Sequence, residues 1–368
     1  MTRAQSGGGI RLVALGYQGF GNLGDEAILT GIEAILADSG VSVGWVVCGP
    51  QPASVAAFPK ARRIPAPRLL PSARAIRAIA RSDGLLLSGG GLIHDHWPTI
   101  VARYLLWIVL ARALGRRVVW LGVGVGPLRR RSQRWLARLA LGLSTAALVR
   151  DAESASLLGG AGEKVTVVPD AAIFNPSPSG VVQDRRRVGV IVRGPISTSR
   201  ADPAALARDV VALVAGLRRH DRDPEPLTLA GTADDAFTRQ LVAEAQIQSI
   251  PLEVVPLGPT PQDALRRLAG CSATVSIRLH GLVLSAAAGV PCVPVAYDAK
   301  VRSAADALGL AEAVIGLEEL DPETVLERLD RATSPEATKR METRVAAMRG
   351  RRAEIAEAVA GAFGGQDR

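Results

Sequence analysis

Short apolar runs alternate with helix-like segments along most of the chain, and this alternation is the feature that most restricts its fold. The runs are apolar at consecutive positions, as in IRLVALG (10–16), GLLLSGGG (84–91) and RVGVIVRG (187–194). Strands of this kind are typical of parallel sheets that helices cover on both faces. The sequence therefore predicts an α/β fold.

The alternation is interrupted at NPSPSG (175–180), a polar, proline-rich stretch that is soon followed by three arginines. Such a composition is typical of a linker. The 368 residues suffice for two domains of ordinary size. We therefore predict two Rossmann-like domains facing across a cleft, at residues 1–178 and 186–334, and a basic C-terminal helix and tail at 335–368.

The first strand-like run leads into GYQGFGNLGDEAILTGI (16–32), where glycines allow a tight turn and close approach to a ligand. A helix start at this point would favour an anion, but Asp25 and Glu26 would cap that helix and repel a phosphate. The spacing also departs from the dinucleotide fingerprint. We expect Asn22 and Asp25 to hydrogen-bond sugar hydroxyls, with an acid-capped glycine turn as the simpler interpretation.

A second glycine-rich strand end occurs at SGGGLIHDHW (88–97). The consecutive glycines Gly89, Gly90 and Gly91 cost chain entropy, which indicates close approach of a ligand to the backbone. The triplet HDH (94–96) follows, but adjacent side chains rarely converge on one ion. We therefore predict the rim of a polar pocket at this position and no metal site.

Two further strand-like runs end in an arginine. VRD (149–151) places Arg150 beside Asp151, which is either a ligand contact or a structural ion pair. VIVRG (190–194) places Arg193 at the tip of the first strand of the second predicted domain. Because ligands of parallel α/β sheets bind beyond the carboxyl ends of strands, both positions suit a binding site.

The most informative stretch is SIRLHGLVLSAAAGVPCVPVAYDAKV (276–301), in which a buried strand ends in Arg278 and a helix opens with His280. A guanidinium can bind a carboxylate or a phosphate through two hydrogen bonds. The positive end of the helix dipole disfavours an imidazolium, so we expect a neutral general base. A lone buried histidine is usually structural, but one that follows an arginine at a strand end is less often so.

The net charge of +9 favours nucleic acid, an anionic small molecule or an anionic membrane as partner. Nucleic acid binding usually interleaves basic and aromatic residues, and aromatics make up only 4% of the chain, so we expect no nucleic acid partner. The basic C-terminal helix is expected to contact anionic lipid. The first ten residues lack the apolar segment of a secretion signal, which favours a cytoplasmic location, peripheral at the inner face of the membrane.

Three of these segments together resemble the polysaccharide pyruvyl transferases: GYQGFGNLGDEAIL (16–29), SGGGLIHD (88–95) and the stretch 276–301. The likeness covers about residues 10–310 and is greatest to the bacterial branch that modifies cell-wall polymers. It implies a glycosyltransferase-B-like fold. It also implies transfer of a pyruvyl group from phosphoenolpyruvate onto two hydroxyls of one sugar, with release of phosphate and formation of a ketal.

The resemblance also implies roles for individual residues. Arg278 and His280 match the RLH segment of the family and are expected to bind the donor and to act in acid–base chemistry. Asp25 matches the acidic position after the glycine turn and is expected to orient the acceptor or assist proton transfer. The substrate-binding residues that we expect are Gly21, Asn22, Gly24, Gly89, Gly90, Gly91, Arg150, Arg193 and Leu279.

The implied reaction needs no metal and no cofactor, since phosphoenolpyruvate enters as the donor substrate. The acceptor is expected to be a lipid-linked sugar, whose identity the unusual IHDHWPT (93–99) leaves open. Two alternatives remain. A nucleotide-sugar glycosyltransferase would share the architecture, although the stretch 276–301 lacks the acidic residue that a nucleotide ribose site normally shows. A non-catalytic protein that binds acidic sugars would use His280 only structurally.

Overall fold

The computed structural model describes residues 9–37, 42–49, 61–65, 71–194, 202–229 and 232–364. The chain divides into two compact units. The first unit consists of Met1–Phe20, Ile28–Phe174 and Arg351–Arg368, and the second consists of Gly21–Ala27 and Asn175–Gly350.

The first unit contains, in its described part, a seven-stranded parallel sheet with the strand order β3-β2-β1-β4-β5-β6-β7. Its strands are β1 (Ile10–Leu15), β2 (Val43–Gly49), β3 (Arg62–Pro65), β4 (Gly84–Ile93), β5 (Arg117–Val125), β6 (Ala146–Val149) and β7 (Val165–Val167). The associated helices are α1 (Leu23–Ala37), α2 (Ala73–Ala80), α3 (Ile100–Ala113), α4 (Arg131–Leu143), α5 (Ala152–Leu158) and α13 (Arg352–Gly364). A short 3₁₀ helix, Ala171–Phe174, follows β7.

The second unit contains, among the described residues, a six-stranded parallel sheet with the order β10-β9-β8-β11-β12-β13. Its strands are β8 (Asp184–Val192), β9 (Asp223–Thr228), β10 (Val255–Pro256), β11 (Cys271–Ser276), β12 (Cys292–Ala296) and β13 (Ile315–Gly316). Its helices are α6 (Pro203–Arg219), α7 (Thr232–Ile247), α8 (Pro261–Ala269), α9 (Leu279–Ala287), α10 (Ala299–Ala307), α11 (Pro322–Ala332) and α12 (Pro335–Gly350).

Burial of both faces explains the continuous apolar runs. In β5 every residue after Arg117 is buried, and in β4 every residue except Gly91 is buried. The buried indole of Trp120 donates a hydrogen bond from Nε1 to Ser144 Oγ at 2.8 Å, so its polar atom is satisfied within the core. Both predicted domains are therefore parallel α/β units with a core on each side of the sheet, as the sequence predicts.

The units differ from the predicted domain ranges in two places. Gly21–Ala27 groups with the second unit, where the backbone N–H of Leu23 donates to the carbonyl of Leu229 at 2.9 Å. The C-terminal region 335–368 divides after Gly350, because Arg349 donates to the carbonyl of Ala287 in the second unit and Arg351 to that of Val167 in the first. Residues 365–368 of the predicted tail lie outside the described residues.

Each sheet reverses its strand order once. The reversal lies between β1 and β4 in the first unit and between β8 and β11 in the second. In open parallel sheets, ligands bind beyond the carboxyl ends of the strands at such a reversal. The chain segments that follow these four strands are therefore the places to look for a site.

No helix in the described part of the chain is long and apolar enough to cross a membrane.

Candidate active site

The reversal point of the second sheet carries the arginines and the histidine that the sequence singles out. Arg193 follows β8, and Arg278 follows the neighbouring strand β11. Arg278 is the N-cap residue of α9, which makes half-buried Leu279 the first and His280 the second residue of that helix. Both arginines and the histidine therefore stand beyond the carboxyl edge of one sheet.

The junction between β11 and α9 is held by local hydrogen bonds. The fully buried hydroxyl of Ser276 donates to the carbonyl of Arg278 at 2.8 Å and accepts from the backbone N–H of Arg278 at 3.2 Å. A Cβ at Gly281 would lie 2.2 Å from that hydroxyl, so only glycine lets the helix start this close to the strand. The turn that presents Arg278 and His280 is thus tightly constrained.

Arg278 is buried and forms an ion pair with Asp234, in the first turn of α7. One terminal nitrogen, Nη2, donates to both carboxylate oxygens of Asp234, which also accepts from Thr228 Oγ1 at 3.0 Å. Burial lowers the pKa of Arg278, and the positive charge of Arg193 acts in the same direction, while Asp234 opposes both. The Nε–H of Arg278 is buried without a hydrogen-bond partner among the described residues.

Arg193 is held by an aromatic residue rather than by a carboxylate. Its Nη1 donates to the hydroxyl of Tyr297 at 2.9 Å, and its guanidinium carbon lies 5.3 Å from the centre of the same ring. Tyr297 directly follows β12, the strand that pairs with β11 on the side away from β8. Within the described residues Arg193 has no ion pair, so its charge is not offset by an acidic side chain as that of Arg278 is.

The early glycine-rich segment lies against the histidine. A Cβ at Gly24 would come within 2.3 Å of Nδ1 of His280 and 2.5 Å of its Cγ, which shows that the imidazole packs directly on the backbone of Gly24. The hydrogen bond from Leu23 to Leu229 fixes the same segment beside the end of β9. The second unit therefore brings Gly24, His280 and Arg278 into one neighbourhood.

Asn22 and Asp25 are joined by a side-chain hydrogen bond at the start of helix α1. Asn22 Nδ2 donates to Asp25 Oδ2 at 2.6 Å, and the backbone N–H of Gly24 donates to Asn22 Oδ1 at 3.3 Å. Asp25 and Glu26 are both buried in the first turn of the helix. The carboxylate of Asp25 is thus oriented by Asn22. Gly21 precedes this turn at φ +76° with open space at its Cβ position, so the left-handed backbone accounts for the glycine.

In the first unit, the three predicted ligand-contacting glycines lie inside β4. Gly89 has φ +53°, and a Cβ there would lie 2.0 Å from Cγ2 of Ile28, so this glycine allows α1 to pack on the sheet. Gly90 has φ +77°. Gly91 is the one of the three that is partly exposed, with nothing within 4 Å of its Cβ position. A packing reason thus accounts for Gly89, while Gly91 leaves room for a ligand.

Arg150 follows β6 and is held by two carboxylates. Its Nε lies 3.5 Å from Asp151 Oδ2 and its Nη1 lies 3.4 Å from Asp170 Oδ2. Burial alone would lower the pKa of Arg150, but Asp170 and Asp151 outweigh it and raise the pKa. Of the two interpretations that the sequence left open, this geometry matches the structural ion pair.

The HDH triplet (94–96) makes local contacts in the first unit. His94 Nε2 lies 3.2 Å from the hydroxyl of Tyr17, and His94 Nδ1 lies 3.3 Å from the backbone nitrogen of His96. Asp95 Oδ2 accepts the backbone N–H groups of Arg129 and Arg130. Asp95 is therefore used to hold the start of α4.

Sequence reasoning missed the groups that position the predicted residues. Asp234 stands in TADDAF (232–237), where the acidic pair reads as an ordinary helix start. Tyr297 and Asp170 each follow a strand, a position that offers a weak signal. The pairing itself joins residues far apart in the chain, such as Arg278 and Asp234, and no local pattern encodes it.

Comparison with known proteins places these residues in a family context. A family model described as polysaccharide pyruvyl transferase matches residues 22–299, which include the glycine-rich segment from Asn22 onward, both arginines and His280. No curated protein is similar enough in sequence to match the chain.

Solved structures with a similar fold are numerous, and their sequences are distant. A UDP-GlcNAc 2-epimerase from Neisseria meningitidis, bound to UDP-GlcNAc, has a TM-score of 0.60 at 12% identity and covers 95% of this chain and 99% of its own. A UDP-GlcNAc 2-epimerase from Methanocaldococcus jannaschii has a TM-score of 0.58 at 12% identity and covers 92% of this chain and 99% of its own. A glycosyltransferase from Rickettsia africae has a TM-score of 0.57 at 12% identity and covers 97% of this chain and 99% of its own. These likenesses confirm the glycosyltransferase-B-like fold.

Proposed function

This chain belongs to the polysaccharide pyruvyl transferase family, and from that premise we propose that it moves a pyruvyl group from phosphoenolpyruvate onto a sugar. Two hydroxyls of one sugar unit in a cell-wall or exopolysaccharide precursor receive the group as a cyclic ketal, and inorganic phosphate leaves. We propose a lipid-linked acceptor and a cytoplasmic reaction. The transfer involves no net oxidation or reduction and therefore needs no redox group. The proposal includes no metal and no cofactor.

The atoms balance in two steps. In the first, one sugar oxygen bonds to C2 of phosphoenolpyruvate, its proton is removed, and C3 gains a proton to become a methyl group. In the second, the bond between C2 and the phosphate oxygen breaks, the second sugar oxygen bonds to C2, and its proton is lost. The site must therefore bind a carboxylate and a phosphate and must move protons at two hydroxyls and one carbon.

Arg193 and Arg278 are proposed to bind the donor anions. They stand on neighbouring strands at the reversal point of the second sheet, the usual place for a ligand. Arg278 offers its unpartnered Nε–H, and Arg193 offers a charge that no described carboxylate offsets. Arg150 is already held by two carboxylates, so the second donor cation in this proposal is Arg193.

His280 is proposed as the general base for a sugar hydroxyl. It stands in the first turn of α9, two residues after Arg278, the proposed donor-binding residue. Asn22 holds Asp25 in the turn that contains Gly24, and Gly24 contacts the imidazole. We propose that Asp25 orients the acceptor or assists proton transfer, with the backbone at Gly21 as a further substrate contact. For the first unit, the substrate contacts that we propose are Gly90 and Gly91.

One observation carries the proposal above all others. The imidazole of His280 packs on Gly24, and this contact joins the two most distinctive sequence segments of the chain at the arginine-bearing end of one sheet.

The test is to incubate the purified protein with phosphoenolpyruvate and a panel of lipid-linked saccharides, and to follow phosphate release and the mass of the saccharide. We expect release that depends on the acceptor, and a saccharide that gains a pyruvyl group. In deuterated water the new methyl group should carry one deuterium, because C3 is protonated from solvent. Turnover with a nucleotide sugar alone would establish the glycosyltransferase instead, and binding of acidic sugars without turnover of any donor would establish a binding protein.

A further inference from the structure

The segment from His96 to Arg150 has an unusual charge distribution. It contains ten arginines and no aspartate or glutamate. The acidic residues at its two ends, Asp95 and Asp151, both accept backbone N–H groups as caps. Helices α3 and α4 lie within this segment and pack against each other in the first unit. The exposed residues of α3, of α4 and of the loop 96–99 are called the α3–α4 face below.

The α3–α4 face exposes large apolar side chains. Trp97 and Trp135 are 61% and 64% exposed, and Leu106, Val109 and Leu139 are also exposed. On α3 the outward positions 102, 106, 109 and 113 are all apolar, an arrangement that a water-facing helix normally avoids. Gln133 Nε2 donates to the carbonyl of Pro98 at 3.1 Å, which ties the loop that bears Trp97 to α4.

Arginines accompany these apolar groups. On α4, Arg131, Arg134 and Arg138 are exposed on the same side as Trp135 and Leu139, and Arg112 is exposed at the end of α3. Basic residues beside tryptophan and leucine on one helix face are typical of a helix that lies in the headgroup region of an anionic bilayer. Tryptophan in particular favours the boundary between lipid and water.

We propose that the α3–α4 face docks on the surface of an anionic lipid bilayer. The arginines contact lipid phosphates, and Trp97, Trp135 and Leu139 enter the headgroup region, so that α3 and α4 lie on the membrane without spanning it. A second copy of the chain fits this face poorly, because a symmetric contact would bring arginines against arginines with no described acidic side chain on either helix.

The basic C-terminal helix, which the sequence favours as the lipid contact, uses its cations differently. Arg340 pairs with Glu312, and Arg349 donates to the carbonyls of Asn175 and Ala287. Arg351 and Arg352 donate to the carbonyls of Val167 and Phe174. Exposed α12 also carries Glu336 and Glu342 among its basic residues. Its surface is therefore of mixed charge, and its arginines mainly hold the fold.

Intrinsic fluorescence gives a direct readout of the proposed contact. The chain has five tryptophans, of which Trp45, Trp107 and Trp120 are buried, and the other two lie on the α3–α4 face. Full-length protein is titrated with vesicles of phosphatidylglycerol and phosphatidylcholine in equal parts, and with vesicles of phosphatidylcholine alone. We expect a blue shift and quenching by brominated acyl chains with the anionic vesicles only, both weakened by salt.

Three variants locate the surface. Arg131→Gln with Arg138→Gln should weaken partition about 25-fold, since each arginine near an anionic surface contributes about fivefold. Trp135→Gln with Leu139→Gln should weaken partition in co-sedimentation with the anionic vesicles, a readout that does not depend on the tryptophan that is removed. Lys339→Gln with Arg344→Gln, an equal charge change on α12, should alter partition less than twofold. Circular dichroism verifies that each variant is folded.

Three outcomes of the vesicle experiments would overturn the proposal: no partition of the folded wild-type protein, equal partition onto neutral vesicles, or loss of partition in the α12 variant alone. Sedimentation velocity without lipid tests the alternative that the α3–α4 face binds a second copy of the chain. If the wild-type protein is an oligomer, and Trp135→Gln with Leu139→Gln makes it monomeric without changing vesicle binding, the face is a protein interface and the proposal fails. None of these results depends on turnover, so the proposed function is tested separately.

Discussion

Replacing Gly24 by alanine is expected to disable the site while leaving the fold intact. The added Cβ would lie 2.3 Å from Nδ1 of His280, whereas ordinary contact begins at 3.4 Å, so the imidazole must move by at least about 1.1 Å. A misplacement of about 1 Å in a catalytic group can lower the rate about 100-fold. We therefore expect kcat to fall about 100-fold in acceptor-dependent phosphate release.

The same substitution has a small expected effect on stability. Gly24 lies in helix α1 and outside the left-handed backbone region, where alanine is favoured over glycine by up to about 1 kcal/mol. Overpacking against the histidine opposes this gain by about 1–3 kcal/mol. The melting temperature should change by less than about 5 °C. Donor affinity should stay within about threefold, since the arginines are untouched.

Gly361→Ala is the matched control. Gly361 lies inside helix α13 with nothing within 4 Å of its Cβ position, so alanine should leave turnover unchanged. A double-mutant cycle gives the decisive result: His280→Ala should cost about 100-fold less in the Gly24→Ala background than in the wild type, because the imidazole is already displaced there. Full turnover of Gly24→Ala, or losses that simply add, would refute the reasoning.

Further predictions concern the arginine pair and the thiols. His280→Ala should abolish turnover with little change in the Kd for phosphoenolpyruvate, whereas Arg278→Ala should raise that Kd about 10- to 100-fold; equal effects by calorimetry would contradict these separate roles. Asp234→Asn should lower the free energy of unfolding by about 3 kcal/mol, since it leaves a buried guanidinium without its counter-charge. Saturating phosphoenolpyruvate should then raise the melting temperature more in this variant than in the wild type, and an equal rise would show that the donor does not reach Arg278. Burial raises the pKa of all three thiols to about 12, so native protein at pH 8 should resist a thiol reagent that labels the unfolded chain fully at Cys48, Cys271 and Cys292.

The fold was largely predictable, because continuous apolar strands and amphipathic helices are local patterns. The exceptions have physical reasons. Strand β9, DPEPLT (223–228), contains two prolines, which usually exclude a strand. The neighbouring strand β10 pairs only with Leu227 and Thr228 of β9. On that side, Pro224 and Pro226 have no neighbouring strand, so the N–H groups that they lack are not needed there for pairing. Strand β3 is too short for its pattern to register.

The sequence predicted which residues form the candidate site better than it predicted which of them contact one another. Sequence placed Arg278 and His280 at a strand–helix junction because that position follows from local pattern. It explained glycine at position 24 by the close approach of a ligand, whereas in the structure the group that packs there is an imidazole supplied 256 residues later. The pairing of Arg278 with Asp234, and the holding of Arg150 by Asp170, likewise depend on tertiary packing.

The carboxylate that accompanies Arg278 bears on product release. A pocket with several unopposed cations would hold inorganic phosphate tightly after the transfer, and turnover would then be limited by its departure. Asp234 offsets one of the two guanidinium charges at this end of the sheet. In the proposed reaction, inorganic phosphate therefore leaves a site whose positive charge Asp234 partly neutralises. The same neutralisation lowers the affinity of the site for the incoming phosphoenolpyruvate.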